Sequence, residues 1–255
     1  NLFYGTGIPA CIIIIEKSEA AGRKGVFMID AKGGYIKDGA KNRLREQDIR
    51  RIVDAWQAQR DVPHYARFVP MEEIERNDYN LNIPRYVSAP DTEILQDIDA
   101  HLHGGLPKHD IDQFDTYWEV CPSLCDDLFC DYPTRKGYYS LKCNPEAVRD
   151  AVTGNVDFRN QKEVFQKSFA GWCDSHRAQL YALVPGFAPK KLIERLGNSL
   201  LAVFEVDKSL VESYDVYDGL MNYWGETMQD DCYMISSGGW TVQLYTPQPA
   251  SKKKE

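Results

Sequence analysis

Ile8-Pro9-Ala10-Cys11-Ile12-Ile13-Ile14-Ile15 is the stretch on which the fold reading turns. It is almost wholly apolar and rich in β-branched residues. A strand with one wet face alternates apolar and polar residues, so an unbroken run reads as a strand buried on both faces. It is far shorter than the ~20 residues that a bilayer-spanning helix requires. Val26-Phe27-Met28-Ile29-Asp30 reads as a second strand, after a polar turn over residues 18–24. The two are expected to form the edge of a larger sheet, because two strands alone are not stable. The chain opens on Asn1 with neither Met nor a basic leader. The rest of that sheet is therefore expected upstream of residue 1.

Working outward, Gly33-Gly34-Tyr35 through Gly39 reads as a loop. A helix follows, with Ile49, Ile52, Val53 and Trp56 at i, i+3, i+4 and i+7, which is one apolar face. Arg45, Glu46, Arg50, Arg51 and Asp54 fall mostly off that face, and Pro63 closes the segment. Residues 71–75 give a short helical turn. Residues 80–87 are expected extended, since Pro84 disfavours helix before it. Ser88-Ala89-Pro90 reads as a boundary.

Beyond it the pattern turns helical. Asp91 is a candidate N-cap for a helix carrying Ile94, Leu95, Ile98 and Leu102, stopped by Gly104. Asn144-Pro145 is a helix start, a capping side chain followed by Pro at the first position. Residues 161–182, 189–204 and 209–229 carry helical spacing of leucines and aromatics. In the last of these, Leu210, Tyr214, Tyr217, Leu220, Met221, Trp224 and Met228 recur at intervals of three and four. Residues 232–244 read as a terminal hairpin around Ser236-Ser237-Gly238-Gly239. The residues alone thus give a strand-bearing segment over 1–88 and a mainly helical domain over 89–255.

The chain has 255 residues, 43% of them hydrophobic and 12% aromatic, enough for a packed core. Its net charge of −8 argues against a free-standing nucleic-acid binder. The charge is uneven: residues 1–90 carry 14 Lys/Arg against 12 Asp/Glu, and the acid lies in the remainder. Seven cysteines are an odd count in a chain too large to need covalent staples, so reduced thiols are expected.

Several patterns bear on chemistry. Gly5-Thr6-Gly7 precedes a strand, whereas a dinucleotide fingerprint follows one, so a tight turn is the plainer reading. Cys121, Cys125, Cys130 and Cys143 lack the paired spacing of structural zinc sites, and Leu124, Leu128 and Phe129 between them read as helix. His101, His103 and His109 have loop and helix-end composition. No metal is expected at either cluster. Lys37, Lys41, Arg43, Arg45, Arg50 and Arg51 place six basic residues within fifteen, against Asp38, Glu46 and Asp48. A solvated helix face explains such a cluster; contact with DNA phosphates is the functional alternative.

Taken together, three stretches resemble one family. Asn1-Leu2-Phe3-Tyr4-Gly5-Thr6-Gly7-Ile8-Pro9-Ala10-Cys11-Ile12 is similar to the segment following the catalytic half of type I restriction-modification methyltransferase subunits, the adenine-N6 type. Residues 41–49 and the run Asn77-Asp78-Tyr79-Asn80-Leu81-Asn82-Ile83-Pro84-Arg85-Tyr86 resemble two further segments of that family, in the same order. Residues 215–224 and 226–231 resemble the C-terminal region of its longer members. The resemblance implies a fold in which residues 1–88 are the last strands of a doubly wound methyltransferase sheet, an α/β remnant, followed by the helical domain.

The resemblance also implies S-adenosylmethionine as methyl donor and adenine N6 in double-stranded DNA as acceptor. The family's Gly-rich donor motif and its Asn-Pro-Pro-aromatic catalytic motif precede the Phe-Tyr-Gly-Thr-Gly segment. The single Asn-Pro here, Asn144-Pro145, runs on into Glu146-Ala147. No catalytic or cofactor-binding residue is therefore expected in this chain, and the donor would sit on the upstream part. Methylation requires the adenine to leave the stack, and Phe3 and Tyr4 are the candidates to meet it. Lys41, Arg43, Arg45 and Arg50 are the candidate phosphate contacts. The implied partners are a DNA-recognition (specificity) subunit and a restriction subunit, in a bacterial or archaeal cytoplasm with no membrane role. The competing reading is a non-enzymatic helical module that docks a recognition subunit. A zinc-dependent hydrolase built on the His and Cys clusters stands further behind.

Overall fold

The computed structural model describes residues 10–18, 20–88, 96–206 and 209–241. The isoleucine run is not a strand. Residues 10–17 take no regular structure, and Ile12, Ile13, Ile14 and Ile15 are 83%, 74%, 67% and 80% exposed. The composition is that of a buried strand, but a strand exists only where a neighbour takes up its N–H and C=O groups. No described strand runs beside this one.

The expected second strand is present as β1, Gly25–Ile29. Its partner is β4, Ala66–Pro70, paired antiparallel from Gly25 opposite Pro70 to Ile29 opposite Ala66. Between them lie a hairpin of β2, Ile36–Asp38, and β3, Lys41–Arg43, where a plain loop was expected. Gly39 closes that hairpin at φ +61°, a conformation that costs a side-chain-bearing residue dearly and glycine little. The helix α1, Glu46–Ala58, follows.

The short helix α2, Met71–Arg76, folds back on β1 and β4. Met28, Val69, Ile74, Tyr86 and Val87 form a small core there. Arg67 holds its rim, donating to both carboxylate oxygens of Glu73 at 2.9 and 2.8 Å and to the Tyr86 carbonyl at 3.2 Å. The Asn-Tyr-Asn-Leu-Asn-Ile-Pro-Arg-Tyr run is a local lock. Asn80 accepts from the Asn82 N–H through its side chain and from the Tyr86 hydroxyl through its carbonyl. Residues 83–85 form a 3-10 turn rather than the extended segment expected.

The second part begins with α3, Ile98–His103, capped by Asp97, which accepts from Ala100 N–H at 2.9 Å. The expected cap, Asp91, lies outside the described residues. Three short strands follow as an antiparallel sheet in the order β5-β7-β6: β5, Leu106–Pro107; β6, Phe129–Asp131; β7, Tyr138–Leu141. Between β5 and β6 run α4, Lys108–Asp112, α5, Asp115–Val120, and α6, Pro122–Leu128. All strand pairs among the described residues are antiparallel.

Asn144 and Pro145 do open a 3-10 turn, which leads into α7, Val148–Gly154. Asn155 then caps the long α8, Val156–Tyr181, accepting from the Asp157 and Phe158 N–H groups. It is buried, and its amide also donates to Ser123 Oγ at 2.9 Å and Asp127 Oδ2 at 2.7 Å. One side chain so joins α8 to α6.

The main core lies among α8, α9 (Pro189–Phe204), α10 (Ser213–Tyr223) and α11 (Gln229–Gly238). Trp172, Leu192, Leu196, Leu200, Phe204 and Trp224 fill it. A five-residue π turn, Trp224–Met228, links α10 to α11. The expected terminal hairpin is thus wrong over 232–238, which is helical; residues 242–244 lie outside the described set. Short apolar runs do not distinguish strand from helix, and here Cys232 and Ile235, three apart, are the buried pair. The single stripe expected over 209–229 is also divided. Trp224, Leu220 and Met221 join the main core, Tyr214 turns to α1, and Leu210 packs on the α6 cluster.

No helix is long and apolar enough to cross a membrane among the described residues. The seven cysteines are free thiols.

Candidate functional site

The basic cluster sits on the β2–β3 hairpin and the first turns of α1. Phe3 and Tyr4 lie outside the described residues. Lys41 and Arg43 are at the two ends of β3, and Lys37 is on β2 directly opposite Asn42. Lys37 Nζ donates to Asn42 Oδ1 at 3.0 Å and lies 5.7 Å from the Tyr35 ring. Arg43 pairs loosely with Asp38 at 3.5 Å, both side chains largely in water. An exposed pair at that distance contributes little energy and is readily exchanged for another anion.

Arg45 and Arg50 are placed differently. Arg45 is the N-cap of α1, and its side chain grips Asp48 with Nε to Oδ2 at 3.0 Å and Nη2 to Oδ1 at 2.9 Å. Asp48 Oδ2 also accepts from the Arg45 backbone N–H at 2.8 Å, satisfying an otherwise unpaired donor at the helix start. Asp48 is buried. Burial opposes its ionisation, but the Arg45 hydrogen bonds and charge outweigh that and hold the carboxyl below its usual range.

Arg50 faces α10. Its Nε reaches both oxygens of Asp54 at 2.8 and 2.9 Å, Nη1 donates to Asn198 Oδ1 on α9 at 2.7 Å, and the guanidinium lies 5.5 Å from the Tyr217 ring. Tyr214 donates its hydroxyl to the same Asp54 at 3.1 Å. Arg51 lies 4.4 Å from the Tyr65 ring and 5.9 Å from Tyr214. Gln47 Nε2 donates to Asp215 at 2.9 Å. Burial first, then the Asp54 charge and hydrogen bond, push the Tyr214 hydroxyl up to about 12.

The cluster is therefore divided by role. Lys37, Lys41 and Arg43 form a basic rim on the hairpin. Arg45 and Arg50 are held by carboxylates of their own helix, and Arg50 also clamps α1 onto α9 and α10. Sequence spacing could not separate these groups, because the acidic α10 that faces α1 lies some 170 residues away.

The apolar stripe of α1 has the opposite fate to the one its spacing predicts. Ile49, Val53 and Trp56 are exposed, while Asp48 and Ala55 are buried. The inward polar face carries its own ion pairs, Arg45 with Asp48 and Arg50 with Asp54, and meets Tyr214, Asp215 and Tyr217 of α10. The uncovered stripe and the exposed isoleucines are two apolar surfaces in the same part of the chain.

Neither metal candidate is assembled. Among the described residues no group of three or more His, Cys, Asp or Glu could hold an ion. His103 bonds to Asp99 at 2.8 Å, His109 to Asp110 at 3.0 Å and His101 to Gln96 at 3.2 Å, three separate contacts. Cys121 is buried in the α6 cluster, where burial pushes its thiol pKa up. A raised thiol pKa opposes the thiolate that metal binding and nucleophilic attack require.

Residues 1–94 match the family described as N-6 DNA Methylase. Similar curated proteins include the type I restriction enzyme MjaVIII methylase subunit of Methanocaldococcus jannaschii, 37% identical over 92 residues. Those residues are 34% of this chain and 16% of that protein. The MjaVII methylase subunit of the same organism is 37% identical over 103 residues, 39% of this chain and 18% of its own length. The HindI methylase subunit of Haemophilus influenzae is 37% identical over 101 residues, 36% and 22% respectively. The chain thus spans less than a quarter of the length of these relatives. No solved structure matches.

Proposed function

We propose, from the match of residues 1–94 to the N-6 DNA methylase family and to type I restriction enzyme methylase subunits, that the chain serves as a distal part of a modification subunit. That subunit transfers the methyl group of S-adenosylmethionine to adenine N6 in double-stranded DNA. The observation that carries the reading is the match itself, which takes in Phe-Tyr-Gly-Thr-Gly, the basic hairpin and the Asn-to-Tyr lock in one run.

The chain's own residues position rather than react. Adenine's amino group is a poor nucleophile because its lone pair is delocalised into the ring. The Asn-Pro-Pro-aromatic motif that answers this problem in the family is absent from the 255 residues. The donor and the chemistry belong in this account to the part of the subunit that precedes this segment. Phe3 or Tyr4 is the candidate to stack on the extruded base. Lys41 and Arg43, beside Lys37, are the candidate phosphate contacts, which set affinity and register rather than sequence choice. Arg45 and Arg50, the other two candidates, hold α1 behind that rim.

We retain the division into a methylase end over 1–88, the last strands of the doubly wound sheet, and a helical domain over 89–255. The helical domain carries the acid, which suits contact with a specificity subunit better than contact with DNA. The restriction subunit joins the full complex, in the cytoplasm. The non-enzymatic reading, in which the helical domain docks a recognition subunit, stays second.

Calorimetric titration of S-adenosylmethionine tests the assignment of roles. The complete subunit should bind it one to one and the isolated 255 residues should release no heat. Micromolar one-to-one binding by the isolated chain would overturn the reading.

A further inference from the structure

A cleft of about 670 Å³ opens between α8, α10 and the end of α11. Ligand sites fall in this range of volume, and they combine an apolar lining with a few placed polar groups. One wall is a ladder of rings along α8. Phe165 and Phe169 are parallel at 6.5 Å, Trp172 stacks on Phe169 at 5.8 Å, and His176 follows at 5.0 Å. The far wall is α10, where Gly219 lines the cleft and a Cβ built on it would meet nothing within 4 Å. The five-residue π turn continues that wall and sets Met228 into it. Such turns are rare and recur at functional sites. Tyr181, Tyr223 and Trp240 stand exposed at the mouth.

The charge in the lining is one-sided. Among the described residues that line the cleft there is no Asp or Glu, and Arg177 carries the one permanent charge. His176, the second basic side chain, is already held, by the Trp172 carbonyl at 2.9 Å and the Ser199 hydroxyl at 3.1 Å. Ser199 in turn accepts from the Trp172 indole N–H at 2.9 Å. These bonds fix the floor of the cleft. Arg177 is placed differently. It pairs with Asp174 at 2.8 Å, three residues back on the same helix, with the two side chains 65% and 63% exposed. Such a pair contributes little energy and is readily exchanged for another anion. Tyr181, four residues on from Arg177 and so on the same side of α8, also lines the cleft.

We infer that this cleft is a binding site for a small aromatic carboxylate. The planar body lies along the α8 rings, and the carboxylate takes the Arg177 guanidinium in place of Asp174. Aligned rings suit a flat body, because aromatic pairs gain from offset stacking and edge contacts. A guanidinium donates to a carboxylate through two parallel N–H bonds, a match that a neutral ligand does not offer. Ring faces also attract cations, but Arg177 repels one and no carboxylate among the described lining residues offsets it. The site lies outside residues 1–94, which match the methylase family, and the inference does not rest on the methyltransferase reading.

Isothermal titration calorimetry on the full chain tests it with three probes that share one body: naphthylacetate, its methyl ester and naphthylmethylammonium. The carboxylate should bind one to one, about ten-fold tighter than the ester, and the ammonium should bind weakest. Arg177→Gln should weaken the carboxylate to the level of the ester and leave the ester unchanged. Gly219→Leu puts a side chain into the cleft and should abolish binding of both, with the urea midpoint showing that the variant folds. Arg177 is exposed, so the first variant decides the question even where the second fails to fold. The proposal is overturned if no probe binds, or if the ammonium binds as tightly as the carboxylate. Carboxylate binding that survives Gly219→Leu also overturns it, by placing the probe elsewhere, as on the basic hairpin. Concentration-dependent dimerisation that Gly219→Leu abolishes overturns it in favour of a second copy.

Discussion

Replacing Arg50 with Met should destabilise the protein by about 2–3 kcal/mol. Arg50 holds Asp54 with its Nε, Asn198 with Nη1 and the Tyr217 ring with its guanidinium face. A charge-assisted hydrogen bond contributes about 1.5–3 kcal/mol and a cation–π contact about 0.5–1 kcal/mol. Truncating one partner of a fully buried pair costs about 3–5 kcal/mol. The Arg50 and Asp54 side chains keep 24% and 26% of their exposure, so solvent screening lowers the figure. Tyr214→Phe removes a second bond to the same carboxylate and should cost about 1 kcal/mol. Because both act through Asp54, the double variant should depart from additivity by about 0.5–1.5 kcal/mol.

The assay is urea unfolding followed by tryptophan fluorescence, with the slope checked for constancy. Alkaline pH supplies an independent arm. The Tyr214 hydroxyl titrates near 12 in the fold against 10 when unfolded. Its contribution is thus whole below pH 10 and is lost as pH rises to 12, because there only the unfolded chain has given up the proton. Two units bound the loss at about 2.7 kcal/mol, less after screening. Tyr214→Phe should flatten that part of the stability profile. A change below about 0.5 kcal/mol in Arg50→Met, with additive energies in the double variant, would refute the clamp between α1 and α10.

Lys41→Glu with Arg43→Glu should weaken DNA binding by the assembled complex and lower the salt slope of log K by about two, leaving sequence preference intact; an unchanged slope would return the hairpin to a solvated surface. Asn155→Ala should lower stability by about 1–3 kcal/mol, since it removes the α8 cap and strips a donor from Ser123 and Asp127; an unshifted urea midpoint would contradict that role. Trp224→Ala should cost about 3–5 kcal/mol, because the ring lies in the core beside Leu192 and Leu196. A variant that kept its thermal midpoint would place Trp224 outside the core.

Helices α8, α9 and α10 were legible because each carries its period locally. α9 begins at Pro189 and ends at Phe204, as its leucine spacing requires. The errors fall where the deciding partner is remote. Nothing in the isoleucine run announces that no described strand pairs with it. Nothing in Arg50-Arg51-Ile52-Val53-Asp54 says which face meets α10, because the choice rests on Tyr214, Asp215 and Tyr217 far along the chain. The last helix was misread because Ser236-Ser237-Gly238-Gly239 has turn composition, yet only its final glycine breaks the helix. For the candidate site, the cluster's position was legible and its division between rim and clamp was not.

The central proposal is that this chain is part of an enzyme that methylates adenine N6 in DNA. Its most direct test supplies labelled S-adenosylmethionine and duplex DNA to the complete subunit assembled with its specificity subunit. Nucleoside mass spectrometry then identifies where the label goes. Labelled N6-methyladenine is the expected product; label in cytosine, label in protein alone, or no transfer to DNA would contradict the proposal.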